Sequence, residues 1–273
     1  HMLVLADSHA AASGRQPETA LQPCAGGRVL LEGHQGDVTC FSAASDGGDD
    51  DLIVTGSTDM TVRLWQGGQC LKSFVGLEWS EWTGTIYIGH VTTVTAVLVT
   101  PEGRIASGDR FGAVCVWRQD ESCEMLDLPP MGAVTCLAAG PGDGFLVGHR
   151  DGDVRAASWD AAVLAVWSGA GARLLAVVAD PGGGRVLAAS AGGLAQAFAG
   201  GSFSRLVFFP EPASVARFEG GALIACGLSA VTIWALDGRA LATVPVADVR
   251  AATLLFAQGQ QKRELASADK EDE

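Results

Sequence analysis

The sequence predicts an all-β protein made of repeated four-stranded antiparallel sheets, and three observations support this prediction. Residues 52–65, LIVTGSTDMTVRLW, read as two short strands joined by a tight turn. Gly33-His34 and a further strand precede them. Similar strand patterns recur along the chain, and the steps from Ala157 to Ala197 and on to Trp234 are 40 and 37 residues. A period of this size is typical of a β-propeller, whose blades are four-stranded sheets.

The first repeat contains the residue types that hold the turns of such a sheet. A buried imidazole can bond both a turn carboxylate and a strand hydroxyl, which fixes the turn. The residues of these types are His34, Thr55, Ser57, Asp59 and Trp65. The segment resembles the WD-repeat family of β-propellers, whose repeats carry a His, Ser/Thr, Asp and Trp tetrad. A hydrolase triad would also need Ser, His and Asp, but the repeat accounts for the Trp too, and no nucleophile elbow flanks these residues.

Composition narrows the classes of protein and partner. The chain has 273 residues, of which 48% are hydrophobic, and 36 are glycines, which suits a large core and many tight turns. The formal net charge of −13 disfavours nucleic acid and anionic membranes as partners of the whole molecule. No apolar run reaches the length of a membrane span, and the start lacks the pattern of a signal peptide.

The cysteines indicate a reducing compartment. There are seven, an odd number, and none form a CxxC pair. Cys40 and Cys136 share the context Val-Thr-Cys and are interpreted as small buried hydrophobes. We therefore expect an intracellular protein and favour the cytoplasm over the nucleus.

The chain divides into three segments. Residues 1–27 are interpreted as an N-terminal strand and loop, with His1-Met2 as a cloning remnant. Residues 28–268 are expected to form the propeller, and residues 269–273 a frayed acidic tail. We expect six blades, because seven would require a longer native chain. The sixth would close the ring with strands from both ends of the chain, at residues 249–256, 264–267, 3–6 and 28–31.

The later repeats depart step by step from the first. The second blade matches the tetrad at His90, Ser107 and Trp117. Phe111 stands where the first blade has Asp59, and Asp109 lies two residues earlier, so we expect an incomplete network there. The third blade keeps Asp151 at the turn position but lacks the preceding Gly-His and the Trp. The fourth repeat has lost every motif residue, and the fifth regains only its Trp.

Turn residues at the top surface of the predicted ring are the candidates for partner binding. They are Asp37, Thr39, Thr58, Thr93, Arg110, Phe111, Ala133, His149 and Arg150. Arg110 and Arg150 occupy the same slot in neighbouring blades, which suits an acidic or phosphorylated peptide. Ordinary solvated turn arginines are the alternative. His149 is interpreted as a partly exposed polar residue rather than a ligand.

Two tryptophans lie in an insertion between the first two blades, at residues 77–87. Trp79 and Trp82 could form a binding hot spot on the rim of the ring. They could equally fold back and cover the apolar face between blades.

The sequence predicts neither a cofactor nor a metal site. The run DGGDDD at residues 46–51 lacks the spacing of an EF-hand loop and is interpreted as a solvated turn. Few titratable residues are available for an active site, so we expect no catalysis.

The resemblance to WD repeats implies a non-catalytic scaffold that binds a partner protein or a short peptide. The alternatives are the substrate-receptor module of a ubiquitin ligase and a structural assembly module that uses the apolar fourth and fifth repeats.

Overall fold

The computed structural model describes residues 2–5, 28–44, 51–75, 89–118, 120, 122–126, 132–140, 142–168, 173–180, 184–198, 202–219 and 221–245. The regular secondary structure in these residues consists of β-strands, which confirms the all-β prediction. Five four-stranded antiparallel sheets account for all but two of the strands, and each sheet is built from four strands that follow one another in the chain. Within this part of the chain, no helix has the length and hydropathy that a bilayer span requires.

The first two strands form a separate small sheet. Strand β1 (Met2–Leu5) pairs with β2 (Arg28–Leu31) in parallel. We expected these segments to be neighbouring strands of a closing blade, in which neighbours run antiparallel. The parallel pairing is a departure from that expectation. Residues 249–256 and 264–267 lie outside the described residues, so the sixth blade and the closure of the ring stay predictions.

The five sheets are numbered as blades in chain order. Blade 1 consists of β3 (Val38–Ala44), β4 (Leu52–Ser57), β5 (Thr61–Gln66) and β6 (Gln69–Val75). Blade 2 consists of β7 (Val94–Val99), β8 (Ile105–Asp109), β9 (Val114–Trp117) and β10 (Cys123–Met125). Blade 3 consists of β11 (Val134–Ala139), β12 (Gly144–His149), β13 (Val154–Ser158) and β14 (Val163–Trp167).

Blade 4 consists of β15 (Leu174–Ala179), β16 (Arg185–Ser190), β17 (Gly193–Phe198) and β18 (Ser204–Phe208). Blade 5 consists of β19 (Val215–Glu219), β20 (Ala222–Cys226), β21 (Ala230–Ala235) and β22 (Ala240–Pro245). The repeats that have lost their motif residues therefore still form complete four-stranded sheets.

The core lies between the blades. Each pair of consecutive blades shares one cluster of buried apolar side chains, because alternate residues of every strand point to opposite faces of the sheet. Between blades 1 and 2, for example, the ring centroids of Phe74 and Trp117 are 5.2 Å apart.

A threonine in the first strand ties one blade to the next. Thr39 and Thr95 each sit at a bulge, where one strand has an extra residue opposite its partner. The Thr39 hydroxyl donates to the carbonyl oxygen of Val94, and the Thr95 hydroxyl donates to that of Val134 at 2.6 Å. Gly108 allows this close approach, since a Cβ atom there would collide with the Val134 side chain.

The turn between the second and third strands lies at the edge where the first strand begins, and we call this the top edge. Backbone hydrogen bonds join the two segments in blades 1–3. The amides of Thr58, Arg110 and Arg150 donate to the carbonyls of Asp37, Thr93 and Ala133 at 2.9, 3.1 and 2.9 Å. Each blade therefore presents a rigid pair of short segments at this edge.

Candidate functional site

A chain of hydrogen-bonded side chains holds the top turn of blade 1. His34 Nδ1 lies 2.9 Å from Asp59 Oδ2, and His34 Nε2 lies 2.7 Å from the Thr55 hydroxyl. Trp65 Nε1 donates to the same hydroxyl at 2.8 Å. Of the two candidate hydroxyls, Thr55 is the one that contacts the imidazole, whereas Ser57 Oγ accepts from the amide of Asp59 at 3.1 Å. Because Thr55 is buried, its loss would leave polar partners without water or protein to bond.

The carboxylate of Asp59 also accepts hydrogen bonds from the backbone, from Thr61 N at 2.9 Å and Gln35 N at 2.8 Å. Burial raises the pKa of Asp59, but the bonds from Thr61, Gln35 and His34 outweigh burial and lower the pKa to about 2. Burial lowers the pKa of His34 by more than Asp59 raises it. At neutral pH the pair is therefore a neutral imidazole whose Nδ1–H donates to a carboxylate.

Blade 2 has a complete network, so the expectation of an incomplete one is wrong. His90 Nδ1 lies 3.0 Å from Asp109 Oδ2, and His90 Nε2 lies 2.6 Å from the Ser107 hydroxyl. Trp117 Nε1 donates to that hydroxyl at 2.7 Å. The other oxygen of Asp109 accepts from the amide of Phe111 at 2.8 Å. The carboxylate thus comes from position 109 rather than position 111.

The geometry of a strand explains how the acid can move by two residues. The hydroxyl residue lies ten positions before the Trp in both blades. Asp59 follows Thr55 by four residues and sits in the turn, whereas Asp109 follows Ser107 by two and ends β8. Residues two apart on a strand point to the same face, so Asp109 and Ser107 both reach the imidazole. Alignment at a fixed step missed Asp109 because it kept the acid at one turn position.

Blade 3 has a histidine where blade 2 has its acid. His149 pairs with Val134 in the sheet, as Asp109 pairs with Val94. The His149 side chain is fully buried, at 0% exposure, so the expectation of a partly exposed residue is wrong. Its Nδ1 lies 3.0 Å from the carbonyl oxygen of Gly132, and its Nε2 has no hydrogen-bond partner among the described residues.

The surroundings of His149 keep it neutral. Burial lowers its pKa, and the charge of Arg155 lowers it further, against the opposing effects of the Gly132 carbonyl and two nearby carboxylates. Asp151, proposed from the sequence as a tetrad member, is exposed and accepts from the amide of Asp153 at 3.2 Å. It shapes its own turn, and no imidazole bond to it is found among the described residues.

Blade 5 holds its top turn with a glutamate that sequence reasoning missed. The Glu211 carboxylate accepts from Ser229 N at 3.0 Å, from the Ser229 hydroxyl at 2.9 Å and from Ala230 N at 2.9 Å. These bonds lower the pKa of Glu211. Glu211 lies four residues before β19, as His34 lies four residues before β3. The shared spacing could have identified Glu211 from the sequence, but only histidine was considered at that place.

Trp234 in blade 5 also has a substitute partner. Ala225 pairs with Thr232 and takes the place that the buried hydroxyl has in blades 1 and 2. The indole Nε1 of Trp234 donates instead to Thr232 Oγ1 at 2.9 Å. The indole is satisfied by a neighbour on its own strand.

The candidate binding residues divide into three groups by exposure. Six are exposed at or near the top edge, namely Asp37, Thr39, Thr58, Arg110, Phe111 and Arg150. Thr93 and Ala133 are half-buried, and their carbonyls anchor the arginine-bearing turns. His149 is buried beneath the edge. Trp79 and Trp82 lie outside the described residues.

The opposite edge also carries arginines, and two of them, Arg104 and Arg118, are engaged. Arg104 pairs with Asp143 and lies over the ring of Trp159, 5.8 Å from its centroid. Arg118 Nη2 lies 2.7 Å from a carboxylate oxygen of Glu124. In the part of the chain that the structure describes, Arg110 and Arg150 form no salt bridge.

Cys40 and Cys136 behave as small apolar side chains. Burial raises the pKa of Cys40 to about 11 and that of Cys136 to about 12, which keeps both thiols protonated. Six free cysteines lie in the described ranges. The same ranges contain no cluster of three or more His, Cys, Asp or Glu side chains that could hold a metal.

Comparison with known proteins gives partial matches that agree with this geometry. Residues 27–66 match the family model described as WD domain, G-beta repeat. WD repeat-containing protein 18 of Bos taurus is 40% identical over 99 residues, which cover 36% of this chain and 19% of that protein. The Homo sapiens protein of the same name is 30% identical over 97 residues, with coverage of 35% and 19%. WD repeat-containing protein pop1 of Schizosaccharomyces pombe is 38% identical over 81 residues, with coverage of 29% and 10%.

The matched stretches thus span about a fifth or less of these relatives. The matched repeat contains His34, Thr55, Asp59 and Trp65, the four residues that hold the turn of blade 1. With five consecutive four-stranded sheets and one matched repeat, the chain is similar to WD-repeat β-propeller proteins.

Proposed function

We propose that this chain is a protein-interaction scaffold, and that the top edge of blades 1–3 binds a short acidic or phosphorylated segment of a partner protein. The observation that carries the proposal is the matched pair Arg110 and Arg150. Both side chains are exposed, and the amide of each donates to the carbonyl oxygen of the residue that precedes the first strand of its own blade. WD-repeat propellers present their turns as rigid platforms, which suits such a role.

The chemistry of arginine fits this ligand class. A guanidinium group stays charged at every physiological pH and binds carboxylate or phosphate through two parallel hydrogen bonds. Because the turns are already fixed by backbone bonds, little further ordering of the backbone is needed when a peptide binds. The chain has a net charge of −13, which repels an acidic ligand from the rest of the protein. A local cationic pair therefore favours binding of such a ligand at this edge.

The test is a selection of displayed random peptides, followed by affinity measurements on the selected sequences. We expect enrichment of Asp and Glu on the wild-type protein. The double variant Arg110→Glu, Arg150→Glu should bind the selected peptides at least about tenfold more weakly, because it places like charges against the ligand. Phosphoserine versions of the same peptides then distinguish phosphorylated from simply acidic ligands.

A control makes the same kind of charge change at the opposite edge. Arg239 is exposed and precedes the fourth strand of blade 5. The variant Arg239→Glu should leave affinity within about twofold, whereas Arg110→Glu or Arg150→Glu alone should weaken binding. Equal loss in Arg239→Glu and in the single top-edge variants would show a general charge effect and would overturn the assignment to the top edge.

A second candidate function is assembly through blades 4 and 5. Phe208 is 73% exposed and Leu228 is 92% exposed, and exposed apolar groups of this kind are typical of contact surfaces. Sedimentation velocity over a range of concentrations tests it, since Phe208→Ser with Leu228→Ser should abolish any self-association of the wild type. The ubiquitin-ligase role stays a prediction that would use the top edge.

A further inference from the structure

In blade 2 the acid lies two residues earlier than in blade 1, and this leaves the turn position available for a different side chain. In blade 1 the turn position is taken by Asp59, whose carboxylate is committed to His34 and the turn amides. In blade 2, Asp109 has that task, so position 111 is released from it. The released position carries Phe111, which is 67% exposed. Only the amide of Phe111 serves the turn, so the phenyl ring is not required to hold the fold.

A second exposed apolar side chain lies on the adjoining segment. Val91 follows the tetrad histidine of blade 2 directly and is 74% exposed. The same carboxylate fixes both segments, since Asp109 Oδ2 meets the His90 ring while Asp109 Oδ1 accepts from Phe111 N. The amide of Arg110 donates to the carbonyl oxygen of Thr93, which lies in the same segment as His90 and Val91. An exposed cation and two exposed apolar groups therefore belong to two segments that the same hydrogen bonds hold together.

The charges of the neighbouring blades favour blade 2 as the centre of recognition. Blade 1 presents the exposed carboxylate of Asp37, and in blade 3 the exposed Asp151 follows Arg150 directly. In blade 2, the acid of the turn is buried and bonded to His90. Arg110 is thus the arginine whose field is least opposed by a carboxylate in its own turn.

We propose that Val91, Arg110 and Phe111 form a two-part subsite for a partner segment in which a large apolar side chain adjoins an acidic residue. The carboxylate binds Arg110, and the apolar side chain packs on Phe111 and Val91. Apolar contact adds affinity that a charge pair at the surface supplies poorly, because solvent screens exposed charges. This subsite rests on the proposed function and specifies the chemistry of its ligand.

Three synthetic peptides of equal length test the subsite by fluorescence polarisation. The first has three Asp residues in a Gly-Ser background, the second has Leu immediately before the same three Asp, and the third has the Leu with three Asn. We expect the second peptide to bind about tenfold more tightly than the first, and the third to bind too weakly to saturate.

Variants separate the subsite from the wider proposal. Phe111→Ser should remove the tenfold advantage of the Leu peptide and leave the affinity for the acidic peptide unchanged. Phe208→Ser removes an equally exposed phenylalanine on blade 4 and should change neither affinity. An unchanged Leu advantage in Phe111→Ser overturns the subsite, while loss of binding in the double arginine variant still supports the acidic site. Absence of saturable binding for all three peptides overturns both. Circular dichroism of each variant verifies that the fold is intact.

Discussion

Blades 1 and 2 fix their top turns from a histidine that precedes the first strand, whereas blade 5 fixes the same turn from a glutamate at the same place. In the first case an imidazole donates to an acid that in turn accepts the turn amides. In the second the acid accepts those amides directly. The comparison teaches that the turn amides can find a carboxylate acceptor from either place, so the tetrad is one of two ways to supply it.

The two arrangements differ in burial. His90 and Asp109 are both almost fully enclosed, while the clamp of Glu211 lies at the surface. A buried network is costly to break, because a partner that remains cannot turn to water. The tetrad blades should therefore respond to mutation far more strongly than blade 5.

Removal of the acid in blade 2 should give the largest effect. We expect Asp109→Ala to lower the free energy of unfolding by about 2–4 kcal/mol, since His90 and the Phe111 amide lose a buried acceptor. Urea unfolding followed by tryptophan fluorescence measures the change. Phe111→Ala is the matched control and should cost less than about 0.5 kcal/mol.

A rescue experiment sharpens this prediction. The double variant Asp109→Ser, Phe111→Asp copies the arrangement of Ser57 and Asp59 in blade 1 and should recover at least half of the loss. Recovery would show that the two acid positions are interchangeable. If the rescued variant is as unstable as Asp109→Ala, the idea of a transferable acid is wrong.

Substitution of the glycine between blades 2 and 3 should give the next largest effect. Gly108→Ala places a methyl group against the Val134 side chain, and we expect a loss of about 1–3 kcal/mol in unfolding free energy. Gly132→Ala is the control, because its new methyl group would meet nothing closer than 3.7 Å. Similar stabilities of the two variants would contradict the close packing described for this blade pair.

His149 should make blade 3 sensitive to acid. Its pKa is lowered by burial, so the unfolded chain binds a proton at higher pH than the folded protein does. The contribution of His149 is therefore fully present above the unfolded pKa near 6.5 and declines as the pH falls below it. One such group changes the unfolding free energy by at most about 1.4 kcal/mol per pH unit.

Comparison of wild type with His149→Ser at pH 7.5 and pH 5.5 isolates this effect. Serine is the residue that blade 1 has at the equivalent place, Ser57. We expect the acid-induced loss of stability to be smaller in the variant. An identical pH dependence in both proteins would rule out a role for His149, since His34 and the remaining histidines are common to the two.

The glutamate clamp of blade 5 should give the smallest and most local effect. Glu211→Gln should speed hydrogen exchange at the Ser229 and Ala230 amides without a measurable shift of the global unfolding midpoint. The pKa of Glu211 is lowered, so the clamp is intact above the unfolded value near 4.5 and is lost as the pH falls through the folded pKa. Protection that is unaffected by the substitution would show that the clamp is not needed.

Periodicity was sufficient to predict the blades. The sheets of blades 4 and 5 require only alternating small apolar residues and turns, and the sequence retains both. The histidine, acid and Trp of the blade 1 tetrad could be read from residue types, whereas the sequence left Thr55 and Ser57 as alternatives for the hydroxyl. Asp109 and Glu211 could not, because an oxygen atom can reach the same point in space from different backbone positions.

Exposure was harder to predict than position. His149 follows strand residues directly and precedes a turn, a place where polar side chains usually meet solvent, yet it points to the face that packs against other side chains. The face depends on where the bulge of β11 sets the register, and a shift of one residue reverses it. The sequence predicts that side chains alternate between the two faces of a strand, but it does not predict which face a given residue occupies.

The threonine hydroxyls of Thr39 and Thr95 run in one direction, each blade donating to the one that follows it. In blade 3, the threonine at this position, Thr135, donates to the carbonyl oxygen of Gly148 in its own blade at 3.1 Å. In blade 4, the position is occupied by Leu175, which has no hydroxyl to donate. For an array in which each unit touches its neighbours, stability is a sum of such nearest-neighbour couplings. Blades 1–3 should accordingly unfold as one cooperative unit, and local unfolding should begin in blades 4 and 5.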